Sequence, residues 1–107
     1  EPEPEPAPCS GCASYVGDLG AGERDVQPDG NYYYARSSGV HRGYVRGSDG
    51  DLVLTLYRWN GYGWSRVAQS TGGGASQDIA YSGSAGYYTW TIAASASADY
   101  TLYLDVP

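Results

Sequence analysis

Phenylalanine, methionine and lysine are absent from this chain of 107 residues, which has one histidine and two cysteines. Two cysteines and one distant histidine cannot complete the tetrahedral ligand set of a structural zinc site. Without lysine, six arginines are outnumbered by twelve acidic residues, and the net charge is −6. This balance argues against nucleic acid or a membrane surface as a partner. The sequence also lacks a run of about 18 apolar residues, so it predicts no membrane-spanning segment.

The aromatic residues that remain are twelve tyrosines and three tryptophans. Both types carry a polar group on an apolar ring, so they suit surfaces that have one wet side. This composition is typical of a ligand-contacting surface, and equally of a small β-fold that uses tyrosine as its main strand former. Both interpretations stay open at this point.

The N-terminal segment reads EPEPEPAP over residues 1–8. Alternating glutamate and proline favour an extended polyproline II conformation of about 3 Å per residue. We expect this segment to be a spacer that joins the chain to a preceding domain of a longer precursor. Cys9 and Cys12 follow it and, in a secreted chain, favour a small local disulfide that clips the spacer to the domain. The expected division is therefore a linker over 1–13 and one globular domain over 14–107.

The remainder of the chain shows a two-residue hydrophobic period, which indicates β-strands. Strong alternation occurs at 52–57, 87–92 and 100–106, and weaker strands are predicted at 32–35, 40–46, 66–70 and 78–81. Glycine, asparagine, aspartate and serine fill the gaps and suit turns. The pattern predicts an all-β fold, an antiparallel β-sandwich or jelly roll of seven to eight strands. The predicted core is Val45, Leu52, Leu54, Leu56, Val67, Ile79, Tyr88, Trp90, Ile92, Tyr100, Leu102, Leu104 and Val106.

Catalytic constellations find little support in the sequence. His41 is the only histidine, it lies on a predicted strand, and no nucleophile elbow accompanies it. We expect it to be an ordinary surface histidine and predict no catalytic residue. Two carboxylate pairs, Asp49 with Asp51 and Asp25 with Asp29, lie in turn-like segments, where aspartate normally caps its own backbone.

Calcium is the metal that the acidic residues favour, because hard cations bind clustered carboxylates and carbonyls. Asp49 and Asp51 on either side of Gly50 are the candidate ligands, and further acids occur between Asp18 and Asp29. The alternative is an acidic surface that binds no metal. No cofactor is required by either interpretation.

The segment Tyr57–Trp64 predicts a hairpin with Asn60 and Gly61 near its tip. If Leu52, Leu54 and Leu56 face inward, Tyr57 and Trp59 face outward. Exposed rings in a row can stack on sugars or pack on a protein fibre, and a large exposed apolar patch marks an interaction site. Cross-strand aromatic pairs that only stabilise the sheet are the alternative. The candidate ligand-binding residues are Tyr57, Trp59, Tyr62, Trp64 and Tyr87, with Tyr103 as an extension of the same surface.

Residues 38–107 carry a series of motifs in a fixed order: GDLVLTLY at 50–57, WSRVAQS at 64–70, SQDIAY at 76–81, AGYY at 85–88 and DYTL at 99–102. In this order and spacing the chain resembles the bacterial pre-peptidase C-terminal domain. Asp51 matches the first acid of the family's usual Asp-Leu-Asp-Leu pattern, whereas Val53 stands where a second acid is common.

The resemblance implies a non-catalytic β-sandwich appended to secreted peptidases and other hydrolases. Relatives include collagen-binding modules with structural calcium, and similar modules accompany polysaccharide-degrading enzymes. We therefore expect an extracellular, monomeric accessory module that targets a catalytic domain of the same precursor to an insoluble polysaccharide or fibrous protein. The alternative is a C-terminal maturation or secretion segment that proteolysis removes.

Overall fold

The computed structural model describes residues 12–48, 51–71 and 74–107 and contains nine strands in these ranges. They are β1 (Ala13–Leu19), β2 (Arg24–Gln27), β3 (Tyr33–Ala35), β4 (Gly39–Gly47), β5 (Leu52–Trp59), β6 (Trp64–Ser70), β7 (Ser76–Gly83), β8 (Gly86–Ala94) and β9 (Ala98–Asp105). None of the described residues forms a helix that could cross a lipid bilayer.

The strands form two antiparallel sheets that pack face to face. The back sheet has the order β1-β9-β4-β7, and the front sheet has the order β2-β8-β5-β6, with β3 also paired to β8. The predicted all-β antiparallel sandwich is therefore confirmed. With the short β3 set aside, eight strands in two four-stranded sheets give the architecture of a jelly roll.

Two strands, β1 and β2, were not expected from the sequence. β1 is an edge strand whose inward side buries Leu19 and packs Tyr15 at the margin of the core, with Gly17 between them, so its hydrophobic alternation is weak. β2 has four residues, and its buried residue is the polar Gln27. Backbone pairing with β9 and β8 holds the two strands in their sheets.

The core lies between the two sheets and follows the predicted parity closely. Eleven of the predicted core residues are buried, whereas Val67 and Val106 are half-buried and pack at its margin. Val67 has no partner in the β5–β6 ladder, because a register shift lies opposite it between Leu56 and Tyr57. Val106 follows the end of β9, beyond the last paired residue of that strand.

The two sheets meet closely where Trp90 on β8 packs against Gly43 on β4. Trp90 is fully buried, and a Cβ atom placed on Gly43 would lie 2.5 Å from its ring. Interiors are packed as densely as organic crystals, so this contact leaves no room for a side chain at position 43. Gly43 thus permits the largest core side chain to cross from one sheet to the other.

The spacer over residues 1–8 and Cys9 of the predicted disulfide lie outside the described residues. The description begins at Cys12, one residue before β1.

Gly43→Ala should reduce the free energy of unfolding by about 1–3 kcal/mol, the usual cost of overpacking a core. Urea denaturation of the two proteins would measure the difference. Gly63→Ala is the matched control, because a Cβ atom there meets nothing within 4 Å. Equal unfolding midpoints for the Gly43 and Gly63 variants would contradict the proposed contact.

Candidate functional site

Six exposed aromatic side chains of the described residues gather at one end of the front sheet. Directly paired residues place them there, because β3 pairs with the start of β8 and the end of β5 pairs with the start of β6. Single exposed rings are ordinary in proteins, but a contiguous group of them marks a candidate interaction site. The six are Tyr32, Tyr34, Trp59, Tyr62, Trp64 and Tyr87.

The β5–β6 hairpin holds the two tryptophans as a cross-strand pair. Trp59 and Trp64 are Cα partners, and their ring centroids are 5.4 Å apart in an edge-to-face arrangement. Asn60 organises the loop between them, since its Oδ1 accepts the N–H groups of Tyr62 and Gly63, each at 2.9 Å. Its Nδ2 donates to Ser65 Oγ at 2.7 Å. Because this loop is fixed by its own hydrogen bonds, the tryptophan pair is held in place before any ligand arrives.

The three consecutive tyrosines of β3 and its approach alternate between the core and the surface. The Tyr33 side chain packs against the core, whereas Tyr32 and Tyr34 are exposed. This alternation follows from the period of a strand, in which neighbouring side chains point to opposite faces. Burying Tyr33 therefore presents the two flanking rings on the outer face, which is the face of the front sheet turned away from the back sheet.

A buried hydroxyl attaches the turn between β2 and β3 to the central strand β8. Thr89 Oγ1 lies within hydrogen-bonding distance of two carbonyl oxygens of this segment, that of Asn31 at 2.8 Å and that of Gln27 at 3.2 Å. The side chain of Gln27 spans the core and donates through Nε2 to Tyr100 Oη of β9 at 2.8 Å. The turn that carries Tyr32 is thus fixed to both sheets.

The exposed rings contact one another in sequence across the strands. Tyr87 lies between Tyr34 and Tyr32, with centroid distances of 4.9 Å and 5.6 Å. Tyr32 then contacts Trp64 at 5.9 Å, and Trp64 contacts Trp59. Offset and edge-to-face pairs at these distances are favourable without a ligand. The same contacts leave one broad aromatic surface facing the solvent.

This surface encloses two neighbouring depressions that share the rings of Tyr32 and Trp64. We call the two together the groove. The aromatic chamber has a volume of about 260 Å³ and is lined by Tyr32, Trp59, Trp64 and Tyr87. The threonine chamber has a volume of about 340 Å³ and is lined by Arg24, Val26, Gly30, Asn31, Tyr32, Tyr57, Trp64, Thr89 and Thr91. Volumes of this size suit one or two small rings of a ligand.

Four of the five residues predicted to bind a ligand line this groove. Tyr57 lies on the floor of the threonine chamber, and Trp59, Trp64 and Tyr87 line the aromatic chamber. Tyr62 lines neither chamber; it projects from the hairpin tip and is 98% exposed. Whether any of them binds a ligand stays a prediction.

The expectation that Tyr103 extends this surface is wrong. Tyr103 lies on β9 in the back sheet, where it pairs with Tyr44 of β4. Strand parity correctly distinguishes inward from outward positions but does not say to which sheet a strand belongs. For the same reason nothing in the sequence indicated that Arg24 and Asn31 line the same depression as Trp64. Tyr32 and Tyr34 had a usable signal, since an inward Tyr33 requires outward neighbours.

The expectation that His41 lies on the surface is also wrong. His41 is fully buried on β4 between the rings of Tyr33, Tyr81 and Tyr88. Trp90 Nε1 donates to Tyr33 Oη at 3.2 Å, and the Tyr33 hydroxyl lies 2.8 Å from His41 Nδ1. The direction of this second hydrogen bond depends on the tautomer of the imidazole. His41 Nε2 is buried and has no hydrogen-bond partner among the described residues.

The surroundings of His41 disfavour a charge on its ring. Burial lowers the pKa of His41, and burial likewise raises the pKa of the Tyr33 hydroxyl. Both effects keep the pair neutral, because the low dielectric of the interior penalises the charged form. His41 is a core residue and is closed to a substrate in solution.

The carboxylates lie away from the groove. Asp51 is exposed, and its Oδ1 accepts the N–H of Gly74 at 2.8 Å; its predicted calcium partner Asp49 lies outside the described residues. Asp25 Oδ2 accepts the Tyr100 hydroxyl at 2.8 Å, and burial is the main reason that the pKa of Tyr100 is raised to about 12. Across the described ranges, no group of three histidine, cysteine or acidic residues could hold a metal ion.

No sequence model of a known protein family matches the chain. Its fold is similar to that of the pre-peptidase C-terminal domain of a collagenase from Bacillus anthracis, with a TM-score of 0.71 and 14% identity over 88% of this chain and 89% of that one. It is also similar to the Yersinia pseudotuberculosis-derived mitogen, with a TM-score of 0.69 and 19% identity over 90% of this chain and 86% of that one. The resemblance to the pre-peptidase C-terminal domain is thus confirmed at the level of the fold.

The lowered pKa of His41 predicts that acidification destabilises the protein. Above about pH 6.5, the ordinary histidine value, folded and unfolded chains are both neutral at this position. Below it the unfolded chain takes up a proton that the folded chain does not, so the free energy of unfolding falls until the pH reaches the folded-state pKa. Urea denaturation between about pH 7.5 and 5.5, a range above the titration of ordinary carboxylates, would measure this loss.

His41 is the only histidine, so its proton signals in NMR spectra can be followed without ambiguity. In the folded protein they should titrate below the ordinary histidine value. A folded-state midpoint at or above about 6.5 would contradict the buried neutral imidazole. His41→Gln, which carries no ionisable group, should remove the pH dependence in this window.

Proposed function

We propose that this chain is a non-catalytic accessory module of a secreted hydrolase and that its groove holds an insoluble polymer, a polysaccharide or a fibrous protein. The single observation that carries the proposal is the continuous row of exposed rings from Tyr34 to Trp59. Four of these rings line one open depression, and a contiguous exposed apolar surface of this kind marks an interaction site.

The geometry favours binding because hydrogen bonds within the fold hold the segments that carry the rings. Asn60 fixes the hairpin that carries the tryptophans, and Thr89 fixes the turn that carries Tyr32. Holding a binding surface in its bound conformation lowers the entropy lost when a ligand is captured. The module can therefore gain affinity from stacking without first ordering its own loops.

A catalytic role is disfavoured by the position of the one histidine. General base catalysis requires a side chain within hydrogen-bonding reach of the substrate. His41 is enclosed by tyrosines in the core and cannot approach a molecule in the groove. The aromatic groove itself contains no carboxylate side chain among its lining residues.

The attachment to a hydrolase rests on analogy of fold. One structure with this fold is named as a domain of a collagenase. A fold does not determine a ligand, so the polymer is inferred from the groove and not from the collagenase. The alternative role as a segment removed during maturation depends on the spacer over residues 1–8, which lies outside the described residues.

Replacing both tryptophans of the hairpin, as Trp59→Ala with Trp64→Ala, should abolish most of the binding. Truncating an aromatic anchor at an interface typically costs more than 1 kcal/mol, so we expect affinity for the polymer to fall about tenfold or more. The measurement is a pull-down on insoluble cellulose, chitin, xylan and collagen fibres, with the bound fraction determined over a range of protein concentrations.

Tyr103→Ala is the control for this experiment, because it removes a ring from the back sheet. It should bind like the wild type, and circular dichroism should give the same strand signal for every variant. Tyr62→Ala tests whether the polymer extends beyond the groove to the hairpin tip. If the wild type bound none of the polymers, or if the Tyr103 variant lost binding as the tryptophan variant did, the proposal would fail.

A further inference from the structure

The charged residues of the strands are distributed unequally between the two sheets. The strands of the back sheet carry four aspartates and two arginines, whereas those of the front sheet carry one aspartate and three arginines. The chain as a whole is acidic, with a net charge of −6. The sheet that displays the aromatic groove is therefore locally basic.

The single aspartate of the front-sheet strands does not face the groove. Asp25 points between the sheets, where its carboxylate accepts the Tyr100 hydroxyl at 2.8 Å. Its neighbours Arg24 and Val26 consequently point outward and line the threonine chamber. Glu23, which precedes β2, is held in its own turn by the N–H of Gly20. Asp29 in the following turn is not among the lining residues.

Two arginines on this face have no carboxylate partner among the described residues. Arg24 makes no ion pair or hydrogen bond there, and Arg66 contacts only Gln69 Oε1 at 3.3 Å. Arg66 is the Cα partner of Tyr57, so both side chains lie on the face of the groove. Arg24 and Arg66 are on strands β2 and β6 at opposite edges of the sheet, three strand spacings or about 14 Å apart across the strands. Arg24 is level with Ala93 of β8 and Arg66 with Thr89, so they are also offset by four residues along the strands.

The other arginines with described partners are engaged elsewhere. Arg46 forms an ion pair with Asp78 at 2.6 Å in the back sheet. Arg58 donates to the Ala85 carbonyl and to Ser84 Oγ, and its guanidinium lies over the Tyr88 ring. Arg58 thus stabilises the turn before β8. Only Arg24 and Arg66 of the front-sheet arginines remain available to a ligand.

We infer that the groove binds a linear polysaccharide whose sugars carry carboxylate groups. This inference rests on the proposed function and identifies the class of polymer. The rings of Tyr32 and Trp64 offer flat apolar faces to sugar rings, and the lining of the threonine chamber adds the side chains of Asn31 and Thr91, while the Thr89 hydroxyl is occupied by backbone carbonyls. Arginine binds carboxylates through two parallel hydrogen bonds, which no neutral sugar can reproduce.

A fibrous protein fits this surface less well. The lining of the threonine chamber includes the charged side chain of Arg24 beside apolar rings. The unpaired guanidinium of Arg24 on its rim adds a cation that a neutral fibre would leave unsatisfied. A carboxylated sugar satisfies the rings, the hydroxyls and the charge together, which is the complementarity that gives binding its specificity.

The test compares polygalacturonate with the same polymer after methyl esterification, which removes the charge and keeps the backbone. Affinity electrophoresis and tryptophan fluorescence titration of the intact chain should show about tenfold tighter binding to the charged form. This preference should shrink in high salt, because exposed charges are screened. Arg24→Ala should remove most of the preference for the charged polymer. Arg42 is an exposed arginine of the back sheet, so Arg42→Ala should leave the preference unchanged.

The outcomes separate this inference from the proposed function. If the charged and esterified polymers bind equally, and the variant with Trp59→Ala and Trp64→Ala binds neither, the inference of an acidic ligand is overturned. The proposed function as a binding module then stands. If the protein binds collagen and neither form of the polysaccharide, the inference of an acidic polysaccharide is likewise overturned and the binding module stands. Dextran sulfate tests for attraction by charge alone. If the protein binds it as tightly as polygalacturonate, and the tryptophan variant binds it equally well, the inference is also overturned. Binding to no polymer in either experiment overturns both proposals.

Discussion

The packing of Trp90 against Gly43 joins the two sheets, and the aromatic surface depends on it. The indole ring lies in the centre of the core and its Nε1–H reaches Tyr33, which in turn contacts His41 of the opposite sheet. Tyr33 is thereby fixed with its side chain inward. Since neighbouring residues of a strand point to opposite faces, Tyr32 and Tyr34 are fixed outward. A contact in the interior thus determines the orientation of rings on the surface.

This arrangement buries polar side chains in the core, and nearly all of those in the network have hydrogen-bond partners. Gln27, Thr89, Tyr33 and Tyr100 form hydrogen bonds that link the β2–β3 turn with both sheets. Buried polar groups without partners are costly, so such a network is stable only in one geometry. The unpartnered Nε2 of His41 is the exception among the described side chains of this network. It is tolerated because the imidazole is neutral and is surrounded by aromatic rings.

The two faces of the sandwich also differ in chemistry. The front sheet exposes rings and unpaired arginines, whereas the back sheet carries most of the aspartates of the strands and the Arg46–Asp78 ion pair. An acidic domain remains soluble at this charge, and its acids are kept away from the groove. The net charge of the chain, taken alone, argued against nucleic acid or a membrane surface as a partner. The distribution of that charge in the fold leaves unpaired arginines on one face, and the proposed carboxylated ligand depends on them.

Much of the fold was predictable because strand periodicity is a local property. Eleven of thirteen predicted core residues are buried, and the hairpin that carries Trp59 and Trp64 is present. Its tip was readable because Asn60 and Gly61 have a turn preference that depends on their own backbone and side chains. β1 and β2 were not predictable, since an edge strand and a four-residue strand bury too few apolar residues to leave a period.

By itself the sequence determined the all-β class, the inward and outward positions of each strong strand, and the exposure of Trp59 and Tyr62 in the hairpin. Only the tertiary structure decided which strands share a sheet. It placed Tyr32 in contact with Trp64 and Arg24 in the lining of the same chamber, put Tyr103 on the opposite sheet and buried His41. The physical reason is that side-chain parity follows from backbone geometry at each residue, whereas strand pairing depends on contacts between residues far apart in the chain, which no local pattern encodes.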